Sequence, residues 1–286
     1  MGKRVHMIRT AKQLKDKTRN LSGGDSNKAQ TLIRNYMMER FLERITLSKY
    51  RNNFILKGGM LVAAVVGLET RATMDIDTTV QSLPLNAERT RAIVEDIIAI
   101  EIDDGVHFVI SKESTIMEEH DYPGLRYLLE VTLDRLQERI KIDISTGDVI
   151  TPGAVEYSFK LMFEDRRISL WTYNLETVFG EKLETMMARG TANTRMRDFY
   201  DVYVLYRQEK ENLNKETLIK AFNATSEKRN TTALIADLPR ILQEVLDDET
   251  MRRNWDSYKR NNYYVEDLPW DKAMESVFEV ANLIIR

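Results

Sequence analysis

The sequence predicts an α+β protein, with a small mixed sheet flanked by helices in its N-terminal domain and an all-helical C-terminal domain. Three observations predict this. Residues 106–145 hold several stretches with the two-residue period of strands. Amphipathic helical stretches precede and interrupt them. Beyond about residue 170 strand periodicity gives way to one helical stretch after another. The boundary falls between 150 and 170, so the expected domains are 1–165 and 166–286.

The composition bounds the reading. At 286 residues, 43% hydrophobic and 30% charged, the chain has the profile of a globular protein with a sizeable core. It has no cysteine, which excludes disulfides and thiolate metal sites and fits a reducing cytoplasm. No apolar run reaches the length of a membrane span, and the N-terminus carries charges instead of a signal-peptide core. The expectation is therefore a cytoplasmic protein with no membrane partner. The net charge of -3 announces no nucleic-acid partner globally, so any basic surface must be local.

The elements follow in order. Residues 1–20 form a basic arm that includes Lys3, Arg4, Arg9, Lys12, Lys15, Lys17 and Arg19. "SNKAQTLIRNYMMERFLERIT" is a long helix, with Leu32, Ile33, Tyr36, Met37, Phe41 and Leu42 at helical spacing. "NNFILK" leads into a Gly-Gly turn, residues 60–68 form a helix that is apolar all round, and residues 73–81 form a strand. "LNAERTRAIVEDIIAIE" is a second amphipathic helix. "VHFVISKESTIM", "LRYLLEVTLDRL" and "ERIKIDIS" have strand character. In the last, Ile140, Ile142 and Ile144 take one face while Lys141, Asp143 and Ser145 take the other. "NLETVFGEKLETMMARG", "RMRDFYDVYVLYRQ", "NKETLIKAFNAT", "LPRILQEVLDD" and "WDKAMESVFEVANLII" are helices.

The stretch "ILKGGMLVAAVVGLETRATMDIDTTV" carries the chemistry. Asp75 and Asp77 are two residues apart on a strand, so both carboxylates point to one face. Like charges there repel, and burial raises the cost. A divalent cation such as Mg²⁺ removes the conflict, and the Gly58-Gly59 turn before a helix offers backbone N–H groups to phosphate. Asp143, in "IKIDIS", is the best third acid for a two-metal site. The plain alternative is a solvent-facing Asp pair.

Later residues have similar double readings. Lys182 flanks the buried stripe of its helix and finds no acid three or four positions away, so it can lean into a cleft. Asp198 and Asp201 share a helix face near an N-terminus, which the helix dipole favours, though Asp198 could simply cap that helix. Lys57 either touches phosphate or ends a strand, and Arg71 is either a phosphate ligand or a surface charge. "MRRNWDSYKRNNYY" suits RNA contact, or a helix with its aromatics turned inward. His6, His107 and His120 are scattered and suggest no metal site.

The arrangement resembles the nucleotidyltransferase superfamily of DNA polymerase β: a Gly-Gly, a helix, an Asp-x-Asp strand and a third Asp on a later strand. The 15 residues between Gly59 and Asp75 are a longer spacing than usual. "LKGGMLV", "RATMDID", "IKIDIS", "YNLETVFGEKLETMMARG" and "TRMRDFYDVYVLY", in this order, look like the AbiEii/MenT family of type IV toxin–antitoxin systems. The resemblance covers residues 25–210 or so. It implies a nucleotidyltransferase-like first domain and a helical second domain that contributes Lys182 and Asp198 to the active-site cleft. It implies that Gly58 and Gly59 bind the triphosphate of an NTP; Lys57 and Arg71 are nucleotide-binding candidates from their positions alone. Asp75, Asp77 and Asp143 would hold two Mg²⁺ ions, with Mn²⁺ an alternative, and Lys182 would meet the phosphates. Asp198 matches the family's late Asp. The activity implied is transfer of a nucleoside monophosphate from NTP to RNA, with the tRNA 3′ end as target and a cognate antitoxin as partner. Two other readings stay open: a metal-dependent nuclease using the same acids with Lys141 or Lys182, and a non-catalytic nucleotide-binding module.

Overall fold

The computed structural model of the chain describes residues 7–83, 86–116, 124–265 and 267–285. Lys3, Arg4, His6 and His120 of the sequence reading lie outside them, as do the first residue of the second amphipathic helix (85) and the last of the stretch "VHFVISKESTIM" (117). By internal contacts the chain divides into two compact units: Met1–Ala64, Ala72–Asp148 and Val155–Thr172 in the first, and Val65–Arg71, Val149–Ala154 and Tyr173–Arg286 in the second.

The first unit is built on a mixed sheet. Its elements are helices α1 (Ala11–Ser22), α2 (Ser26–Leu47), α3 (Gly58–Val66) and α4 (Ala87–Ile98), and strands β1 (Phe54–Lys57), β2 (Asp75–Val80), β3 (Val106–Ile116), β4 (Gly124–Leu133), β5 (Leu136–Thr146), β6 (Val155–Lys160) and β7 (Arg167–Thr172). The strand order is β3-β4-β5-β2-β1-β7-β6. The β2–β5 and β1–β7 pairs are parallel and the others antiparallel. The isoleucine alternation of β5 decides its two faces: Ile140, Ile142 and Ile144 are fully buried, while Lys141 and Asp143 keep some exposure. That is the division the two-residue period dictates.

The sequence reading assigned no element to 155–172 and treated the N-terminal segment as an arm. The structure forms β6 and β7 in the first and α1 in the second. β6 lies at the sheet edge with mostly exposed residues, so it has little apolar alternation to read. The buried residues of α1 are Ala11, Leu14, Thr18 and Ser22, helically spaced but weakly apolar. Its start is fixed by a capping box between Thr10 and Gln13. The predicted helix at 60–68 begins two residues earlier, at Gly58.

Helix α2 is buried on nearly all sides and packs against α1, α4, β5 and β7. Its buried face includes Glu39, Arg40, Glu43 and Arg44, polar groups that a core accepts only with partners. Arg40 Nη1 meets Glu43 and Glu164 at 2.9 Å each. Arg44 grips both oxygens of Asp104 and donates to the Val106 carbonyl. Arg166 closes the group by bridging Glu43 and Glu164.

The second unit is helical: α5 (Leu175–Arg189), α6 (Met196–Glu209), α7 (Lys215–Lys228), α8 (Leu238–Asp247), α9 (Glu249–Asn261) and α10 (Trp270–Ile285). Gly180 sets the α5–α7 approach, since a Cβ there would lie 3.0 Å from the Phe222 backbone nitrogen. The aromatics of the basic stretch go largely to packing. Trp255 is fully buried, with ring centroids 5.5 Å from Trp270 and 5.7 Å from Tyr258, while Arg253 and Arg260 are exposed.

Candidate active site

The β1–α3 connection has no loop: β1 ends at Lys57 and α3 starts at Gly58. Gly58 has φ +65°, the left-handed region that glycine enters without strain. A side chain there would also collide with Asp77. Gly59 is the second residue of α3, whose N-terminus presents backbone N–H groups that the helix itself leaves unpaired. Lys57 stands opposite Asp77 in the β1–β2 register, and its ammonium reaches Asp148 at 2.5 Å. Asp148 also accepts from the Ser145 hydroxyl at 2.9 Å.

Strand pairing assembles the three acids. Asp75 and Asp77 alternate along β2, and β5 runs parallel beside it with Asp77 opposite Asp143 and Asp75 opposite Lys141. Ligand atoms of Asp75, Asp77 and Asp143 all lie within 4.8 Å of one another. Like charges that close repel one another, and nearby cations offset the repulsion. Cations stand beside them: Lys141 Nζ is 2.7 Å from Asp75 Oδ2, and Arg126 of β4 donates from Nε and Nη2 to the two oxygens of Asp143 at 2.7 Å each. Those bonds, with Asp75 and Asp77 nearby, hold the Arg126 guanidinium above its usual pKa. The Thr73 hydroxyl donates to Asp75 Oδ1 at 3.1 Å. The donor set is all hard oxygen, which fits Mg²⁺ or Mn²⁺ and does not favour softer metals.

The other predicted residues meet inside the helical unit. Lys182 of α5 pairs with Asp198 at 2.7 Å and Asp201 at 2.8 Å, both on α6. Arg71 Nε donates to Asp201 at 2.6 Å, and its guanidinium lies over the Tyr264 ring. Asp201 is almost wholly buried. Burial alone would raise its pKa, yet Arg71 and Lys182 hold it below the usual carboxylate range. Burial likewise opposes the Lys182 charge, and Asp198 and Asp201 hold its pKa above the ordinary lysine value. The missing partner on its own helix is thus found on the next one. Asp198 does not cap α6: Arg195 is the N-cap residue and makes no side-chain cap bond.

A family model described as "Nucleotidyl transferase AbiEii toxin, Type IV TA system" matches residues 40–276. The chain belongs to the AbiEii family. That match takes in the Gly-Gly turn, the Asp-x-Asp strand, Asp143 and the Lys182 helix. No curated protein matches the chain. Among solved structures, JHP933 from Helicobacter pylori is similar at 16% identity and TM-score 0.49, with 89% of this chain and 91% of that one covered. A second H. pylori chain, a nucleotidyltransferase by assignment, is 15% identical with TM-score 0.49, covering 89% and 94%. A nucleotidyltransferase-like antigen from Paracoccidioides brasiliensis is 9% identical with TM-score 0.32, covering 84% and 92%.

In this AbiEii chain the sequence reading missed Arg126 and Asp148 and gave Asp201 only a minor place. Arg126 had a legible position, on the polar face of an alternating strand, but nothing in the sequence pairs β4 with β5 in register. Asp148 lies beyond the strand it serves. Asp201 was seen only as the second acid of its motif, although it is the one that both Arg71 and Lys182 hold.

Proposed function

We propose that this AbiEii-family chain is a Mg²⁺-dependent nucleotidyltransferase toxin that transfers a nucleoside monophosphate from NTP to an RNA acceptor, the tRNA 3′ end foremost. The observation that carries the reading is the convergence of Asp75, Asp77 and Asp143 beside the Gly58 turn. Asp75 and Asp77 hold the metal ions, and Asp143 completes the set and takes the proton of the attacking hydroxyl. Bound Mg²⁺ would supply Lewis acidity to the attacking and leaving oxygens. Gly58, Gly59 and the start of α3 receive the triphosphate through backbone N–H groups, and Lys57 adds a positive charge there. Lys182 serves as a point charge toward phosphate, with Asp198 as its carboxylate partner, and Arg71 is held for the same purpose. The acceptor oxygen attacks the α-phosphorus, the bond to the bridging oxygen breaks, and pyrophosphate leaves with those electrons. Growth inhibition follows from blocked tRNA, and a cognate antitoxin, the family's counterpart, restrains it.

The test is incubation of the purified chain with total tRNA, Mg²⁺ and each α-labelled NTP, beside an Asp75→Ala control. Label on RNA that depends on one NTP and disappears in the control supports the proposal. RNA shortened without NTP would put a nuclease in its place. Intact, unlabelled RNA would leave a protein acceptor or a binding module.

A further inference from the structure

We propose that Arg126 is a place-holder for the metal: it grips Asp143 until a divalent cation takes that carboxylate, and its released guanidinium then binds substrate phosphate. The second step rests on the transferase reading above; the first does not.

The register shows why Arg126 suits this. Asp77, Asp143 and Arg126 are direct cross-strand partners on β2, β5 and β4, so they form one row on one face of the sheet. Strand spacing places Arg126 at the outer end of that row, about 10 Å from the Asp77 backbone. Its two 2.7 Å bonds use the forked geometry that matches carboxylate and phosphate equally well. Its side chain is nonetheless 41% exposed, against 16% for Asp143. A pair that open to water adds little to fold stability. The arrangement is better suited to exchange than to anchoring.

Charge balance points the same way. Arg126 and Lys141 each pair with one of the three clustered carboxylates. A bound divalent ion would add two positive charges beside them. The two native cations then lose their best partners, and an arriving phosphate group becomes the natural new one. Lys141 is a point charge, whereas the Arg126 fork can exchange one bidentate oxyanion for another.

The test needs no turnover. Mn²⁺ binding to the full chain is measured by calorimetry for wild type, Arg126→Gln and Arg126→Lys, with thermal melts to confirm folding. Loss of the grip tightens Mn²⁺ binding about fivefold in Arg126→Gln. Arg126→Lys, which keeps the charge and loses the fork, also binds more tightly than wild type. If Arg126→Lys binds as wild type does, or neither variant differs, the place-holder idea is overturned. Binding of inorganic tripolyphosphate and of tRNA to the Mn²⁺-loaded proteins then tests the second step. A loss of threefold or more in Arg126→Gln is expected for one of them. Loss with tripolyphosphate assigns the nucleotide's phosphates, loss with tRNA assigns the acceptor's, and loss with neither refutes phosphate binding. A chain that binds Mn²⁺ as expected but labels no RNA would sink the RNA-transferase reading while leaving the competition intact.

Discussion

Gly58 and Asp77 approach so closely that a methyl group on Gly58 would sit 2.1 Å from Asp77 Oδ2. The helix that begins at Gly58 therefore lies directly against one of the three acids, and the glycine is required twice, for its φ of +65° and for the space. Gly58→Ala should cost about 2 kcal/mol of stability and push the Asp77 carboxylate out of the triad. Denaturant unfolding reads the first effect, and a weaker Mn²⁺ affinity reads the second.

The acids should separate binding from folding. Asp143→Asn removes a proposed metal ligand but breaks only an ion pair whose arginine side chain is 41% exposed. It should weaken Mn²⁺ binding at least tenfold and reduce nucleotide transfer about a hundredfold or more, while changing unfolding free energy by less than about 1 kcal/mol. A large loss of stability would contradict this.

Asp201 should behave in the opposite way. It is buried between Arg71 and Lys182, so Asp201→Asn leaves two buried cations short of a partner. Breaking such a pair costs about 3 kcal/mol. Because the folded-state pKa of Asp201 is depressed, its contribution is present above the ordinary carboxylate value and lost as pH falls through the depressed one. The acid limb of a stability–pH curve should flatten in the variant.

Glu39 gives a contrasting pH response. Burial pushes its carboxyl up to about 8, despite Arg40 and the hydrogen bonds from Met162 and Asn35. The folded protein thus holds a proton that the unfolded chain releases near the ordinary value of 4.5. Stability from this group is full below that value and declines as pH rises toward about 8. Thermal melts of Glu39→Gln should show a shallower decline across this window, with Tm at pH 8 about 2–4 °C above wild type.

What could be read from the sequence, and what could not, has a physical pattern. β5 announced itself because three isoleucines alternate with polar residues, and the Asp-x-Asp strand because its carboxylates demand an explanation. β6 did not, since an edge strand keeps few apolar positions; β7 lies inside the sheet with Ile168, Leu170 and Thr172 buried, and its short alternation was passed over. The ion network of α2 was invisible for another reason: Glu39, Arg40, Glu43 and Arg44 look like the water-facing side of an amphipathic helix. Glu164, Asp104 and Arg166, more than fifty residues away, help to make their burial possible. The same holds for Arg126, Lys182 and Asp201. Each residue type was legible, but each partner depends on register or helix packing that a linear reading does not contain.

The segments Val65–Arg71 and Val149–Ala154 belong with the helical unit although both precede the last strands of the first unit in the chain. Arg71, from the earlier of them, supplies one of the two cations on Asp201. A protease nick or gene break at residue 165 would consequently strand pieces of one unit on the other's fragment, and neither fragment would own a complete interior. The two units are interleaved along the gene, so recombination can pass them on together but cannot trade either one by a single crossover.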